Sequence, residues 1–305
     1  MTTASPNISL TSNGFPLSTA PNRLGRLTPT DPARSRDDLW EQYRAQGYLW
    51  LKGILDQREV LDFRRRYFAA FVDAGLPMIA PGTDPVEGIF DDGAEPADPG
   101  LYNKVIMEIV RWAEYEAFCL MAPMRRFYET FLEGAPYLHK RKLIRHGKPG
   151  DRQSTGAHYD LIYLRGGTDR ICTSWIPIGD VPVERGGLVY LEGSDAWGRT
   201  KEAEFAARNR DLHPEERISA YNKNMEGGWL SNDLAAMADD LNTRWLVANY
   251  EAGDMMVHSP YMVHASTMNV DPTRRIRLST DIRYQRVRDE IDARWGNHWT
   301  LGDML

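Results

Sequence analysis

The chain has 305 residues, of which 42% are hydrophobic and 26% are charged, and its formal net charge is −6. This composition is that of an ordinary globular protein, and the acidic balance disfavours a protein that follows a nucleic-acid backbone. No run of the sequence approaches the roughly 18 consecutive apolar residues that a membrane helix needs. These properties therefore disfavour a nucleic-acid partner and a membrane.

Cysteine usage and the N-terminal stretch indicate the compartment. Cys119 and Cys172 are the only cysteines of the sequence, which is too few for a disulfide framework or a cysteine-based zinc site and suits a reducing cytoplasm. The first residues, MTTASPNISLTSNGFPLSTAPN, have neither a basic start nor an apolar core, so we expect no secretory signal. A cytoplasmic protein is the expectation.

The N-terminal third of the sequence predicts an arm followed by helices. Residues 1–35 are rich in Ser, Thr, Pro and Asn, and such a segment buries too little apolar surface to offset its ordering entropy, which predicts a disordered arm. A helix is predicted from Asp37 to Gln46, where Gly47 ends it, and a short strand follows at Tyr48-Leu49-Trp50-Leu51. Asp56 and Glu59 resemble a capping box, which predicts a helix over about 57–74. A second helical block is predicted over about 102–132.

From about residue 137 the pattern changes to short apolar runs separated by Gly, Pro and Asp. Such runs are typical of strands in a barrel or sandwich, so we expect a single domain from 36 to 305 that is mainly β with flanking helices. A polar, helical insertion at about 197–245 interrupts the strands and is typical of a lid or binding loop. The predicted strand segments are YLHKRKLIRH, GAHYDLIYL, ICTSWIPIG, GGLVYLEGS, NYEAGDMMVHSPYMVHAS and RRIRLSTDIRYQ.

His158-Tyr159-Asp160 is the central motif of the sequence. In a strand, residues two apart point to the same face, so one imidazole and one carboxylate project into the same space. Burying both would be costly unless they share a partner, and a metal ion is a suitable one. A second histidine, His264, follows a Gly-Asp turn in an apolar run. Two histidines and one carboxylate form the ligand set of non-haem iron(II) oxygenases.

About a dozen residues after His264 the sequence reads Arg275-Ile276-Arg277-Leu278-Ser279. A guanidinium on a neighbouring strand can hold the far carboxylate of a dicarboxylate co-substrate. Arg275 and Arg277 share strand parity, so both could point inward. His258 lies six residues before His264, but Ser259-Pro260 makes one continuous strand through both histidines improbable. We expect a structural role for His258.

These motifs together resemble the phytanoyl-CoA dioxygenase family of Fe(II)/2-oxoglutarate-dependent oxygenases. The resemblance extends from GYLWLKGILD through HYDLIYL, SWIPIGDVPVERGGLVYLEGSDAWG and GDMMVHSPYMVHAS to RIRLSTDIRYQ. It implies a double-stranded β-helix, also called a jelly roll or cupin-like core, with Fe(II), 2-oxoglutarate and O2 as cofactors. It also implies that His158, Asp160 and His264 are the catalytic metal ligands.

The resemblance also implies roles around the co-substrate. Arg277 is the favoured partner of the 2-oxoglutarate C5 carboxylate because Arg277-Leu278-Ser279 matches the family's Arg-x-Ser pattern, and Arg275 is the second candidate. Ser266 would assist the same ligand, and Trp175 matches an aromatic position on a neighbouring strand. Aromatic residues of the insertion could line the substrate pocket, although we expect at least two of them to anchor the insertion to the barrel by burying area instead; these are Tyr221, Trp229 and Trp245.

The carboxylate at Asp160 bears on the type of reaction. Halogenating members of the family have a small residue there, so Asp160 favours hydroxylation, desaturation or ring closure of a small organic molecule. The alternatives that stay open are a halogenase, an oxygenase of acyl thioesters, and a metal-holding cupin that does not use 2-oxoglutarate. The Arg-x-Ser pattern argues against the last of these.

Overall fold

Most of the helices come before most of the β-strands along the chain. The computed structural model describes residues 9–95, 97–213, 215–217 and 229–302. Its α-helices are α1 (Arg36–Gln46), α2 (Gln57–Asp73), α3 (Pro99–Ile109), α4 (Ala113–Cys119), α5 (Ala122–Phe131), α6 (Leu161–Leu164), α7 (Ser194–Arg208) and α8 (Leu234–Asp240).

The first two helices begin and end where the sequence predicts. The backbone N–H of Asp38 donates to the Ser35 side chain at the start of α1, and Gly47 ends the helix with a φ of 78°, which a residue with a side chain rarely adopts. The Asp56 carboxylate caps α2 by accepting from two N–H groups of its first turn. The predicted block over 102–132 is divided instead. The chain leaves the helix between α3 and α4 and again at Met121, just before the proline of α5.

Most strands belong to two sheets. A six-stranded sheet has the order β4-β10-β7-β12-β5, with β6 also paired to β12, and a four-stranded sheet has the order β11-β8-β9-β3. The strands are β1 (Thr11–Ser12), β2 (Phe15–Pro16), β3 (Leu24–Arg26), β4 (Tyr48–Leu51), β5 (Pro136–Leu138), β6 (Leu143–Gly147), β7 (Cys172–Pro177), β8 (Leu188–Leu191), β9 (Trp245–Val247), β10 (Met255–His258), β11 (His264–Ser266) and β12 (Arg277–Arg286).

The core has three apolar layers, and the middle layer lies between the two sheets. Helices α1 to α5 cover the outer face of the six-stranded sheet. Trp50 and Trp175 from that sheet pack with Leu188 and Tyr190 from the four-stranded sheet in one buried cluster. A third cluster covers the outside of the four-stranded sheet. The prediction of a mainly β fold was too narrow, because the structure is mixed α/β with substantial sheet.

The N-terminal segment is ordered from Leu10 onward, so the prediction of a disordered arm is wrong for this part. Strands β1 and β2 form a hairpin, and β3 pairs in parallel with β9. Leu10, Leu17 and Leu27 are buried, and the Ser12 hydroxyl donates to the carbonyl of Ser266 at 3.0 Å. A few leucines among polar residues are enough to attach the segment to the sheet, which its composition does not reveal.

Two further predictions concern the insertion and the cysteines. The segment between β8 and β9 is helical at both ends, in α7 and α8, as its sequence predicts. Cys119 and Cys172 are both free and buried. Among the described residues, no helix is long and apolar enough to span a membrane.

Candidate active site

The two candidate histidine ligands face each other across an isolated antiparallel bridge. The N–H of His158 donates to the carbonyl of His264 at 3.0 Å, and the N–H of His264 donates back to the carbonyl of His158 at 2.9 Å. Directly opposed residues of an antiparallel pair project to the same side. The two imidazole centroids are therefore only 4.3 Å apart.

Each imidazole is held in one orientation by a carbonyl two residues earlier. The Nδ1 atom of His158 lies 2.9 Å from the carbonyl oxygen of Gly156, and the Nδ1 atom of His264 lies 2.9 Å from that of Met262. A carbonyl oxygen only accepts hydrogen bonds, so Nδ1 carries the proton in both rings. The lone pair of each Nε2 is then available to a metal, as is usual for histidine ligands.

Asp160 completes the group, although its backbone is not the one predicted. The strand predicted for GAHYDLIYL ends at the bridge of His158, because Asp160 has φ −66° and ψ −29° and stands at the start of α6. Its Oδ1 atom still lies 3.8 Å from the Nε2 atoms of both His158 and His264. A turn into a short helix thus achieves the convergence that the sequence argument ascribed to an extended strand.

The donor set fits a divalent iron ion. One ligand atom from each of His158, Asp160 and His264 lies within 4.8 Å of the other two, and all three residues are buried. Two imidazoles and one carboxylate on one side of a metal leave further coordination positions for other ligands, which is the facial arrangement of non-haem iron(II) sites.

The protonation states also suit a cation. Burial lowers the pKa of His158, and burial together with the neighbouring His158 and His258 lowers the pKa of His264 well below its usual range. Burial opposes ionisation of Asp160, but the Arg283 guanidinium holds the pKa of that carboxyl well below its usual range. The site therefore offers two neutral imidazoles and one ionised carboxylate.

Three side chains from adjacent strands of the six-stranded sheet hold Asp160. His258 on β10, Thr173 on β7 and Arg283 on β12 are register partners and form one row across the sheet. The Thr173 hydroxyl donates to Oδ2 of Asp160, His258 Nε2 lies 3.3 Å from the same oxygen, and Arg283 Nη2 donates to Oδ1 at 3.2 Å. Such contacts fix the orientation of a ligating carboxylate.

The sequence argument assigned none of these three contacts. The prediction that His258 and His264 lie on separate strands is confirmed by β10 and β11. His258 is fully buried, and its Nδ1 atom lies 2.8 Å from the hydroxyl of Tyr190. These three residues meet only because β10, β7 and β12 pair in one particular register. No local sequence pattern predicts that register.

The structure separates the two candidate arginines. Arg277 opens β12, its Nη1 donates to the Ser279 hydroxyl at 2.7 Å, and burial lowers the pKa of its guanidinium to about 10. The Nε atom of Arg277 is buried without a hydrogen-bond partner in the ranges that the structure describes. Arg275 instead pairs with Glu87 at 2.5 Å and is 35% exposed. Because β12 begins only at Arg277, Arg275 lies outside the strand and the shared-parity argument does not apply to it.

Ser266 and Trp175 both lie near this interior. The Ser266 hydroxyl accepts from the backbone N–H of Thr155 at 2.9 Å, and Ser266 is two residues from His264 on β11. Trp175 projects between the two sheets, where its ring centroid is 4.8 Å from that of Tyr250.

The three aromatic residues predicted for the substrate pocket have different outcomes. Tyr221 lies outside the described residues. Trp229 is half-buried and packs against Gly156, where an added Cβ would lie 2.8 Å from the indole. Trp245 lies in the cluster outside the four-stranded sheet, so β9 points it away from the interior, as expected for a residue that anchors the insertion. There its Nε1 donates to the carbonyl of Leu234 at 2.7 Å.

The model of the phytanoyl-CoA dioxygenase (PhyH) family matches residues 43–276, which is most of the chain and includes all three candidate ligands. The chain belongs to this family. No curated protein sequence matches the chain.

Solved structures share the fold of this PhyH-family chain at low sequence identity. The non-heme alpha ketoglutarate dependent carbocyclase SnoK from nogalamycin biosynthesis has a TM-score of 0.52 at 18% identity, over 87% of this chain and 89% of that one. The epimerase SnoN, in complex with Fe3+, alpha ketoglutarate and nogalamycin RO, has a TM-score of 0.51 at 18% identity, over 86% and 87%. AviO1 from Streptomyces viridochromogenes Tue57 has a TM-score of 0.51 at 16% identity, over 84% and 96%.

Proposed function

We propose that this chain is an Fe(II)/2-oxoglutarate-dependent dioxygenase that hydroxylates or otherwise oxidises a small organic molecule. Its two facing sheets would form the double-stranded β-helix of the family, in one domain over 36–305. The observation that carries the proposal is the convergence of His158, Asp160 and His264, with ligand atoms within 4.8 Å, in a sheet that also holds the half-buried Arg277 with its buried, unpaired Nε. Family membership supports the same function.

His158, Asp160 and His264 would hold the iron, and Arg277 would hold the C5 carboxylate of 2-oxoglutarate. The Ser279 hydroxyl orients the guanidinium, and Gly147 stands opposite Arg277 in the ladder with no side chain of its own. A charge-assisted pair between a buried guanidinium and a carboxylate is both directional and strong. Ser266 and Trp175 would border the same space.

When bound, iron, 2-oxoglutarate and O2 supply the oxidation, and 2-oxoglutarate leaves as succinate and CO2. The chain's own residues place and shield the reacting groups. The row of Thr173, His258 and Arg283 fixes Asp160, and the buried apolar cluster that contains Trp50 and Trp175 would limit access of water.

The insertion would act as a lid, and its first helix is attached to the metal-ligand segment. Glu202 of α7 accepts a hydrogen bond from the Tyr159 hydroxyl at 2.6 Å, and Arg165 donates to the same carboxylate from Nε at 2.9 Å. Tyr159 lies between the ligands His158 and Asp160 in sequence. These contacts support a lid whose position is coupled to the metal ligands.

Asp160 also supports hydroxylation, desaturation or ring closure over halogenation. Its carboxylate accepts from three side chains, so the position is built for a carboxylate and not for a halide. The half-buried Arg277 argues against a cupin that does not use 2-oxoglutarate, because such a protein has no need of a guanidinium whose buried Nε lacks a partner in the described part of the chain.

The test is an anaerobic titration of the apoprotein with Fe(II) and then with 2-oxoglutarate, following the visible charge-transfer band of the chelate. We expect the band in the wild-type protein and not in His158→Ala or His264→Ala. The matched control is His213→Ala, which removes an exposed histidine and should leave the band unchanged. Fe(II) binding without a band would favour the cupin, and near-normal succinate production by His264→Ala would overturn the ligand assignment.

A further inference from the structure

Arg283 has hydrogen-bond donors that the protein around it does not use. Its side chain is only 6% exposed, and its Nη2 donates to Oδ1 of Asp160 at 3.2 Å. Its Nε and Nη1 atoms are buried and have no hydrogen-bond partner anywhere in the described part of the chain. Leaving such donors unpaired in an interior costs free energy. They are therefore available to an acceptor that comes from outside the chain.

The position of Arg283 distinguishes it from the 2-oxoglutarate arginine. Arg277 and Arg283 lie on the same face of β12, six residues apart, which corresponds to about 20 Å along a strand. Asp160 contacts the Arg283 end of this face. A co-substrate held by Arg277 would reach the metal-binding residues from one end of β12. The free donors of Arg283 would therefore contact a different molecule, which enters from the other end.

Trp295 fixes the guanidinium in place. The Cζ atom of Arg283 lies 4.9 Å from the ring centroid of Trp295, which is 2% exposed. A guanidinium that lies over an indole is held by a cation–π contact. With the indole on one side and Asp160 on another, Arg283 has little freedom to reach other acceptors of the chain.

The charges along this face leave a positive balance. The charges of Fe(II) and of the 2-oxoglutarate dianion would cancel when both are bound. Arg145 lies 3.8 Å from Asp281, so these two cancel as well. Asp160 balances one of the two guanidiniums Arg277 and Arg283, and one positive charge remains. Since an uncompensated charge in an interior is unfavourable, a substrate with a single negative charge fits the site better than a neutral one.

We infer that the substrate is a small carboxylic acid whose carboxylate binds Arg283 beside Asp160. The inference rests on the proposed function and names its substrate class. Because Arg283 Nη2 is 3.2 Å from the oxygen of Asp160 that faces the histidines, the carbon that is oxidised lies only a few bonds from the carboxylate. An acyl thioester has a neutral carbonyl in that place and gives Arg283 no anion to bind.

The experiment uses the anaerobic protein loaded with Fe(II) and 2-oxoglutarate. Butyrate and benzoate are the probes, and butyramide and benzamide are their uncharged counterparts. We expect the carboxylates to shift the charge-transfer band saturably, while the amides leave it unchanged. A carboxylate that displaces 2-oxoglutarate from Arg277 would abolish the band, so the two binding modes are distinguishable.

Variants of Arg283 test whether this residue causes the carboxylate-induced shift of the charge-transfer band. In Arg283→Gln we expect weaker Fe(II) binding, because Arg283 also holds Asp160. Measured at saturating Fe(II) and 2-oxoglutarate, the carboxylate affinity should fall about 10- to 150-fold, as for loss of a hydrogen bond to a charged group. Arg286→Gln is the matched control, because Arg286 is on the same strand but pairs with Asp289 at 2.7 Å. If Arg283→Gln cannot bind Fe(II), Arg283→Lys keeps a positive charge beside Asp160 but lacks the unpaired guanidinium donors Nε and Nη1, so its carboxylate affinity should fall by a smaller factor, about 2- to 10-fold.

The outcomes separate the inference from the proposed function. A band in the wild-type protein that carboxylates and amides affect alike would overturn the carboxylate inference and leave the oxygenase assignment intact. An equal carboxylate affinity in the wild-type protein and the Arg283 variants would do the same. The absence of any band in the wild-type protein would remove the proposed function and this inference together.

Discussion

The two ends of the inward face of β12 carry the same residue type in different surroundings. At one end Arg277 donates to a neutral hydroxyl, that of Ser279, and at the other end Arg283 donates to the ionised Asp160. Among the residues that the structure describes, no carboxylate forms an ion pair with Arg277, so its charge is available to a dicarboxylate. Arg283 already contributes to holding a metal ligand. The comparison shows that the protein group to which each guanidinium donates, more than its degree of burial, determines which ligand that guanidinium can bind.

Removing Arg277 should have the largest effect on 2-oxoglutarate binding. Arg277→Ala should raise the 2-oxoglutarate concentration needed for half-maximal turnover by about 10- to 150-fold, because a hydrogen-bonded charge pair contributes roughly 1.5–3 kcal/mol. Succinate release measured over a range of 2-oxoglutarate concentrations checks this.

Arg275→Ala is the matched control for that measurement. It removes a guanidinium two residues away that is paired with Glu87, and we expect little change in the 2-oxoglutarate requirement. If the ranking of the two variants is reversed, the co-substrate role moves to Arg275.

A smaller effect is expected from Thr173, which holds Asp160 at the other end. Thr173→Val removes the hydroxyl that donates to Asp160 and should weaken Fe(II) binding by about 10-fold, as is usual for groups that orient a metal ligand. An anaerobic competition with a chromogenic chelator measures this affinity. Ser174→Ala is the control, since Ser174 contacts Tyr128 at 2.6 Å on the opposite face. An equal loss of affinity in both variants would show a general effect on β7.

The smallest effect concerns the space around Arg277. A Cβ at Gly147 would lie 3.2 Å from Arg277 Nη2, so Gly147→Ala should displace the guanidinium slightly and raise the 2-oxoglutarate requirement about two- to five-fold. Gly93→Ala adds the same methyl group, with its nearest neighbour at 3.8 Å, and should change nothing. A Gly147→Ala protein with an unaltered 2-oxoglutarate requirement would mean that Arg277 is not confined by its neighbour.

The parts of the molecule that sequence could predict are those with a local cause. The capping residues Ser35 and Asp56 and the glycine at position 47 define the first two helices. Two histidines and a carboxylate in the spacing of a known family indicate the ligand set, and that set converges in the structure. Arg277 was preferred to Arg275 on the Arg-x-Ser pattern, and the buried Nε of Arg277 and the pairing of Arg275 with Glu87 agree with that preference.

The parts that sequence could not predict depend on which strands become neighbours. Trp245 is a residue type that often lines a pocket, but the face of β9 on which its side chain lies is set by the pairing of β9 with β8. The contacts of Thr173 and Arg283 with Asp160 require the register of β7 against β12. Asp160 itself has a helical backbone because the chain turns into α6. None of these follows from the order of residues within one segment.

The parallel pairing of β3 with β9 has a consequence for handling the protein. Strand β3 is the last strand of its sheet and covers the open side of β9, whose residues Trp245–Val247 are all buried. Removing the segment up to Arg26 as dispensable would expose an apolar edge strand with unpaired backbone groups, which is a template for edge-to-edge aggregation. A shortened form of the chain should therefore keep this segment, even though its composition looks like that of a linker.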